Sequence, residues 1–164
     1  MHLATRVKLQ IITVGHKPPD WISNGFHDYA RRMPRELPIV LTEVRPAVHS
    51  GNSAALIAKA RQTEGERILA AVPSGGVKVA LDENGKAIST AQLASQIEDW
   101  MTQGRDVCFL IGGADGLDNT VKREADLLLS LSNMTLPHAL VRVVLAEQLY
   151  RAISIIRNHP YHRQ

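Results

Sequence analysis

At 164 residues, with 45% apolar and 21% charged side chains, the chain can fill one ordinary core but not two, so it is read as a single domain over residues 1–164, neither disordered nor fibrous. Its one cysteine, Cys108, excludes an internal disulfide and a thiolate metal site, which suits a cytoplasmic protein. The net charge of +3 lies entirely in residues 138–164, where four arginines stand against one acid, a placement that points to an anionic partner at the C-terminal end or to a cationic helix terminus complementing its own dipole.

Residues 7–15 are rich in β-branched and aliphatic side chains and predict a strand, too short for a signal sequence, that ends before Pro18 and Pro19. A helix follows, capped by Asp20, with Trp21, Ile22, Phe26 and Tyr29 as its apolar positions and Pro34 as its stop. Residues 38–44 predict a second strand and 45–52 a loop. Ser53 opens a helix to about Ala71 that turns Leu56, Ile57, Ala60, Ile68 and Leu69 inward despite Gly65. The third strand is 77–81, followed by turn chemistry at Asp82-Glu83-Asn84-Gly85. Ser89 begins a helix with an apolar stripe of Leu93, Ile97, Trp100 and Met101, closed by Gly104.

Residues 106–111 are apolar almost throughout, the mark of a strand buried on both faces in a parallel sheet covered by helices. After 112–117 come a short helix from about Asp118 and a short strand near 128–131. The longest uncharged run, 127–141, contains Ser, Asn, Thr, His and Pro and does not suit a membrane span. The last helix, about 139–157, is apolar almost all round, from Leu140 and Val143 to Ile155 and Ile156. One face of a small domain would not bury that much, so a second surface is expected, most simply a twofold partner.

Three segments carry chemistry. Leu110-Ile111-Gly112-Gly113-Ala114-Asp115-Gly116 joins a strand to a helix, either a place where glycines let backbone approach a ligand or a plain glycine turn at a strand end; it is neither a dinucleotide fingerprint nor a phosphate loop. Residues 130–138 run from a strand end into a small-polar loop, either a ligand wall at the carboxyl edge of a sheet or a packed connection with Met134 and Leu136 in the core. The tail Asn158-His159-Pro160-Tyr161-His162-Arg163 has the residue types for phosphate contact and base stacking, although a frayed terminus is the usual fate of such a segment. No metal set accompanies its histidines. Cys108 reads as core, Asp115 and Asp118 as turn and cap residues, and Glu147 with Arg151 as an i, i+4 pair. His138, at a helix start, is open between a capping and a site role.

Taken together, residues 110–116, SLSNMTLPHALVRVVLAEQLYRA at 130–152 and NHPYHR at 158–163, with VGHK at 14–17 and GRD at 104–106, resemble the SPOUT-class methyltransferases that modify N3 of a pseudouridine in bacterial large-subunit ribosomal RNA. The resemblance runs over nearly the whole chain from Lys8. It implies a three-layer α/β homodimer with a parallel sheet and a C-terminal trefoil knot, acting on ribosomal RNA with S-adenosylmethionine and without metal. It implies a cofactor site at Leu81, Gly112 and Gly113 and along Leu131, Ser132, Asn133, Met134, Thr135 and Leu136, largely through backbone groups. The imide proton of the target base must leave, and His138, Arg142, Tyr161, His162 and Arg163 are the candidates for that step, the tail being donated across the dimer. The expected site therefore has Gly113 and Thr135 on one shared cavity. Two departures stand out: residues 1–7 extend the usual start, and the loop 46–51 lacks the lysines and arginines that relatives often carry there. Two other readings are a ribosomal-RNA-binding module without chemistry and a transfer-RNA methyltransferase of the same fold.

Overall fold

A run of aliphatic and β-branched residues broken only by one glutamine has no polar face to turn toward water, and in the computed structural model Leu9–Val14 (β1) is accordingly an internal strand with only Gln10 less than fully buried. The structure describes residues 7–15 and 17–163; residues 1–6 of the extension and His16 of the VGHK stretch lie outside the described residues. The elements that follow are Asp20–Arg32 (α1), Ile39–Val44 (β2), Ala54–Ala71 (α2), Val77–Ala87 (β3), Thr90–Thr102 (α3), Val107–Ile111 (β4), Asn119–Glu124 (α4), Leu127–Ser130 (β5) and His138–Ile156 (α5), then a 3-10 turn at Pro160–Arg163. The strands form one parallel sheet in the order β2-β1-β4-β3-β5.

That order decides which face each helix covers. The connections β1 to β2 and β3 to β4 step one way along the sheet, while β2 to β3 and β4 to β5 step the other way. With the usual right-handed crossover, opposite steps put their helices on opposite faces. Phe26 of α1, Leu93 and Ile97 of α3 and Leu145 and Leu149 of α5 accordingly pack with Leu9, Ile11 and Phe109. Ile68 of α2 and Val121 of α4 pack on the reverse face with Ile12, Val14 and Leu110. The result is three layers. Cys108 is fully buried in the second cluster, and burial pushes its thiol up to about 11, so it is core rather than nucleophile.

Local signals hold at several boundaries. Ser53 accepts from the Leu56 N–H, Ser89 and Gln92 complete a capping box on α3, and Asp118 caps α4 through the Thr120 N–H. Four expectations need correction. Asp20 is the first residue of α1 rather than its cap: Pro19 takes that position and no side chain caps the helix. Trp21 and Leu56, read as inward, are 65% and 39% exposed. On α2 the inward stripe instead includes Glu64 and Gly65, where a side chain at 65 would meet Asp118 Cβ at 3.0 Å; glycine is what lets α2 close on the start of α4. The fourth correction concerns the turn at 82–85, which is an excursion within β3: Leu81 and Lys86 both pair with Leu129, and Asp82 makes a local turn by accepting from the Asn84 N–H. A Cβ on Gly85 would lie 2.8 Å from the backbone of Leu128 and Leu129, so the excursion rests directly on β5.

Candidate active site

All five parallel strands end at one edge, and at that edge the two glycine- and serine-bearing loops meet. A cavity of about 600 Å³ opens there, within the range of small-ligand sites. Its floor is the strand ends Leu81, Ile111 and Leu129; its walls are the turn 112–117, the excursion 82–84 and the loop 130–137. Gly113 and Thr135 share it.

The turn after β4 is tight for a steric reason. A Cβ at Gly112 would stand 2.6 Å from the Gly116 carbonyl carbon and 2.8 Å from the Leu117 nitrogen, and Gly116 itself has φ of +81°. Gly113 and Gly116 close on each other in an isolated bridge, which presents backbone rather than side chain to the cavity. The facing loop is braced from within, since Ser130 Oγ donates to the Ser132 carbonyl at 2.9 Å and Ser132 Oγ accepts from the Met134 N–H at 2.9 Å. Thr135 Oγ1 then donates to Glu83 Oε2 at 3.2 Å, fastening this loop to the β3 excursion. Met134 is 77% exposed, so the segment is a wall and not a packed connection.

Of the cofactor candidates, Leu81, Gly112, Gly113, Leu131, Ser132, Met134, Thr135 and Leu136 line the cavity, while Asn133 does not. Asp82, Glu83 and Asp115 give the lining an acidic character that the sequence pattern had not singled out. Burial would raise the Asp82 carboxyl, but Lys122 at 2.6 Å and the Asn84 N–H hold it below its ordinary value, so Asp82 is ionised. Arg61 of α2 and Lys122 of α4 reach the same cavity and were also missed; adjacency of Asp82-Glu83 to Leu81 was the available signal for the acids, and nothing local marked the two cations.

The five candidates for the proton step are not gathered in one place. His138, the first residue of α5, lines the cavity. Arg142 lies one turn further along the same helix face and is 2% exposed. Its Nη1 stands 3.6 Å from Glu43 Oε2, and a Cβ at Gly15 would lie 3.5 Å from its Nη2, yet Nε and Nη1 have no hydrogen-bond partner. Tyr161, His162 and Arg163 do not line the cavity. They belong to the 3-10 turn at the opposite end of α5, a helix of 19 residues and hence about 28 Å long.

The tail is not frayed. The His159 N–H donates to the Ser154 carbonyl at 2.7 Å, the Tyr161 ring packs on Tyr150 at 4.6 Å, and the Arg151 guanidinium lies 4.9 Å over the Tyr161 ring. Tyr161 Oη donates to Glu147 Oε1 at 3.2 Å, the carboxylate that also holds Arg151 at 2.6 Å. Burial first, then hydrogen bonding with Tyr29 and the Glu147 charge, pushes the Tyr161 phenol up to about 12. It stays protonated at neutral pH and acts as a donor, not a base. Because the native value lies above the ordinary one near 10, the stability this contact contributes is complete below pH ~10 and is lost as pH rises toward ~12. Alkaline unfolding followed by circular dichroism should therefore be less steep over that interval in Tyr161→Phe; identical profiles would count against the contact.

A family model described as "Predicted SPOUT methyltransferase" matches residues 7–162. The chain is 55% identical over 157 residues, 96% of its own length and 99% of the relative's, to the protein named ribosomal RNA large subunit methyltransferase H in Thiobacillus denitrificans. It is 56% identical over the same share to the protein of that name in Burkholderia multivorans. Among solved structures, a methylase family protein from Neisseria gonorrhoeae superposes with a TM-score of 0.53 at 15% identity, covering 92% of this chain and 84% of that one, a likeness of fold alone. With a parallel sheet whose carboxyl edge carries a glycine turn and a serine loop on one cavity, and a family match over nearly its full length, the chain belongs to the SPOUT methyltransferase family.

Proposed function

We propose that the protein is an S-adenosylmethionine-dependent methyltransferase acting on N3 of a pseudouridine in large-subunit ribosomal RNA, on the assembled ribosome in the cytoplasm. The observation that carries this reading is the single cavity on which the turn 112–117 and the loop 130–137 converge, together with relatives at 55% and 56% identity that are named for ribosomal RNA large subunit methylation. The lining suits such a cofactor on two counts: Gly112 leaves no space for a Cβ, so backbone groups are offered, and three carboxylates, Asp82, Glu83 and Asp115, against the two cations Arg61 and Lys122 leave a net negative lining for a cationic sulfonium. Leu81, Gly112, Gly113, Leu131, Ser132, Met134, Thr135 and Leu136 would hold it. Once bound, it supplies an electrophilic methyl group.

The chain's own residues have two tasks, to hold N3 in line with that methyl in a site shielded from water and to take or neutralise the imide proton. That His138 lines the cavity supports it as the residue that would take the proton. Arg142, one turn along α5 from His138 and just outside the cavity lining, has Glu43 at 3.6 Å as its counter-ion but two buried nitrogens without hydrogen-bond acceptors, and its positive charge would favour a negative imide nearby.

The tail is assigned to the cavity of a partner subunit, since it sits at the far end of α5 from its own. A homodimer is further supported by the apolar residues of α5 that the described residues leave only partly covered, among them Val143, Val144, Ile155 and Ile156. The C-terminal trefoil knot belongs to the same reading, supported by the excursion 82–85 that rests on β5 and is fastened to the following loop through Thr135.

Purified protein incubated with methyl-labelled cofactor should label assembled ribosomes and leave transfer RNA unlabelled. Labelling of transfer RNA alone would establish the transfer-RNA reading, and absence of both labelling and calorimetric cofactor binding would leave an RNA-binding module without chemistry.

A further inference from the structure

Glu64 is 93% buried by area, on the face of α2 that turns toward the cavity, three residues beyond Arg61, which lines it. Its Oε2 accepts from the Ala47 N–H at 3.1 Å, and a Cβ placed on Gly113 would lie 3.5 Å from the same oxygen. One carboxylate thus bonds the loop 45–51 and lies beside the glycine turn, in the space a side chain at 113 would point toward. Two further contacts hold the loop, one to α2 and one to the turn. Arg67, three residues along α2, donates from Nη1 to the Arg45 carbonyl at 2.9 Å, and His49 places Nε2 3.5 Å from Asp115 Oδ2 while its Nδ1 lies 2.6 Å from the Gly51 carbonyl. Gly113 and Asp115 line the cavity, yet no residue of 45–51 does. At the tip of that loop Val48 is 97% exposed.

We propose that Glu64 is a positioning residue that pins the loop 45–51 to the turn 112–116, so that filling the cavity orders a loop that never touches the ligand. This rests on the cofactor reading of the cavity. The coupling follows from shared contacts: a ligand that immobilises Gly113 and Asp115 removes their freedom to part from Glu64 and His49, and the loop then loses less entropy on ordering. What the pin requires is an acceptor rather than a charge. Burial, with Asp115 adding to it, pushes the Glu64 carboxyl above its ordinary value, while the Ala47 N–H, Arg67 and His49 oppose the rise, so a neutral amide of the same shape fits the position.

Hydrogen–deuterium exchange of the full-length protein with and without S-adenosylmethionine tests this. In the unaltered protein, cofactor should slow exchange both in 130–137, at the cavity, and in 45–51, outside it. Glu64→Gln keeps the acceptor and should keep both effects. Glu64→Ala should retain slowing in 130–137, lose it in 45–51, and weaken cofactor binding by about tenfold, the size of one lost buried hydrogen bond. His49→Ala leaves the core untouched and should diminish the effect in 45–51 with an unchanged thermal midpoint, which keeps the test open if Glu64→Ala does not fold. Slowing in 130–137 without slowing in 45–51, or full loop protection in Glu64→Ala and His49→Ala, overturns the coupling alone. Slowing at neither segment overturns the cofactor reading and the coupling with it.

Discussion

Gly112→Ala should raise the dissociation constant for S-adenosylmethionine by about 5- to 150-fold and lower the thermal midpoint by several degrees. The added carbon would meet the Gly116 carbonyl carbon at 2.6 Å, its oxygen at 2.7 Å and the Leu117 nitrogen at 2.8 Å, all of them backbone atoms. A side chain can swing aside, but this backbone is held by the 4% exposed Leu117, by the Gly113–Gly116 bridge and by the start of α4. Forcing such a turn open costs about 1–3 kcal/mol, which is roughly 5- to 150-fold in binding if the cost falls on the ligand-competent form. Gly113→Ala is the comparison. Its Cβ would press on Val14 Cγ1 at 3.1 Å, a side-chain atom able to yield, so the loss should be smaller. Titration calorimetry separates the two, and an unaltered affinity in Gly112→Ala would remove the turn from the cofactor site.

Changing His162 and Arg163 together to alanine should leave cofactor affinity intact and slow methyl transfer by about 10²- to 10⁴-fold, the usual reach of a positioned proton-transfer group. The tail lies outside its own chain's cavity, so the missing groups would be those of the opposite subunit. That has a consequence for mixtures. At limiting cofactor Gly112→Ala and the tail variant should each be nearly inactive alone, but in a mixed dimer of the proposed kind the intact tail of the first chain would serve the intact cavity of the second. Random exchange at equal concentrations should then restore about a quarter of the unaltered activity, because half the dimers are mixed and each has one competent site. A mixture as inactive as its components would assign each tail to its own chain.

The local pattern of the chain was enough for the alternation of elements and much of the cavity wall. Residues 107–111 are apolar at every position, which only a strand covered on both faces can sustain, and β4 is such a strand. Ser53, Ser89 and Asp118 mark helix starts because a side-chain oxygen next to an unpaired N–H is a short-range interaction that needs nothing distant. The small residues at 112–116 and 130–135 likewise announce close backbone approach wherever they end up.

Other features depended on groups remote in sequence. The excursion 82–85 looks like an ordinary turn until β5, more than 40 residues later, pairs with both of its ends. Trp21 has the hydrophobicity of a core residue but faces away from the sheet, since Ile22 and Phe26 already fill that side of α1. Glu64 carries no sign in its neighbours that it will be buried; only the approach of Ala47 and Gly113 gives its carboxylate somewhere to go. Periodicity and capping are encoded within a few residues of themselves, whereas the strand order, with the handedness of its crossovers, decides which loops share an edge. For the same reason the sequence specifies the residue types of NHPYHR, while the length of α5 decides that this segment stands away from the cavity of its own chain.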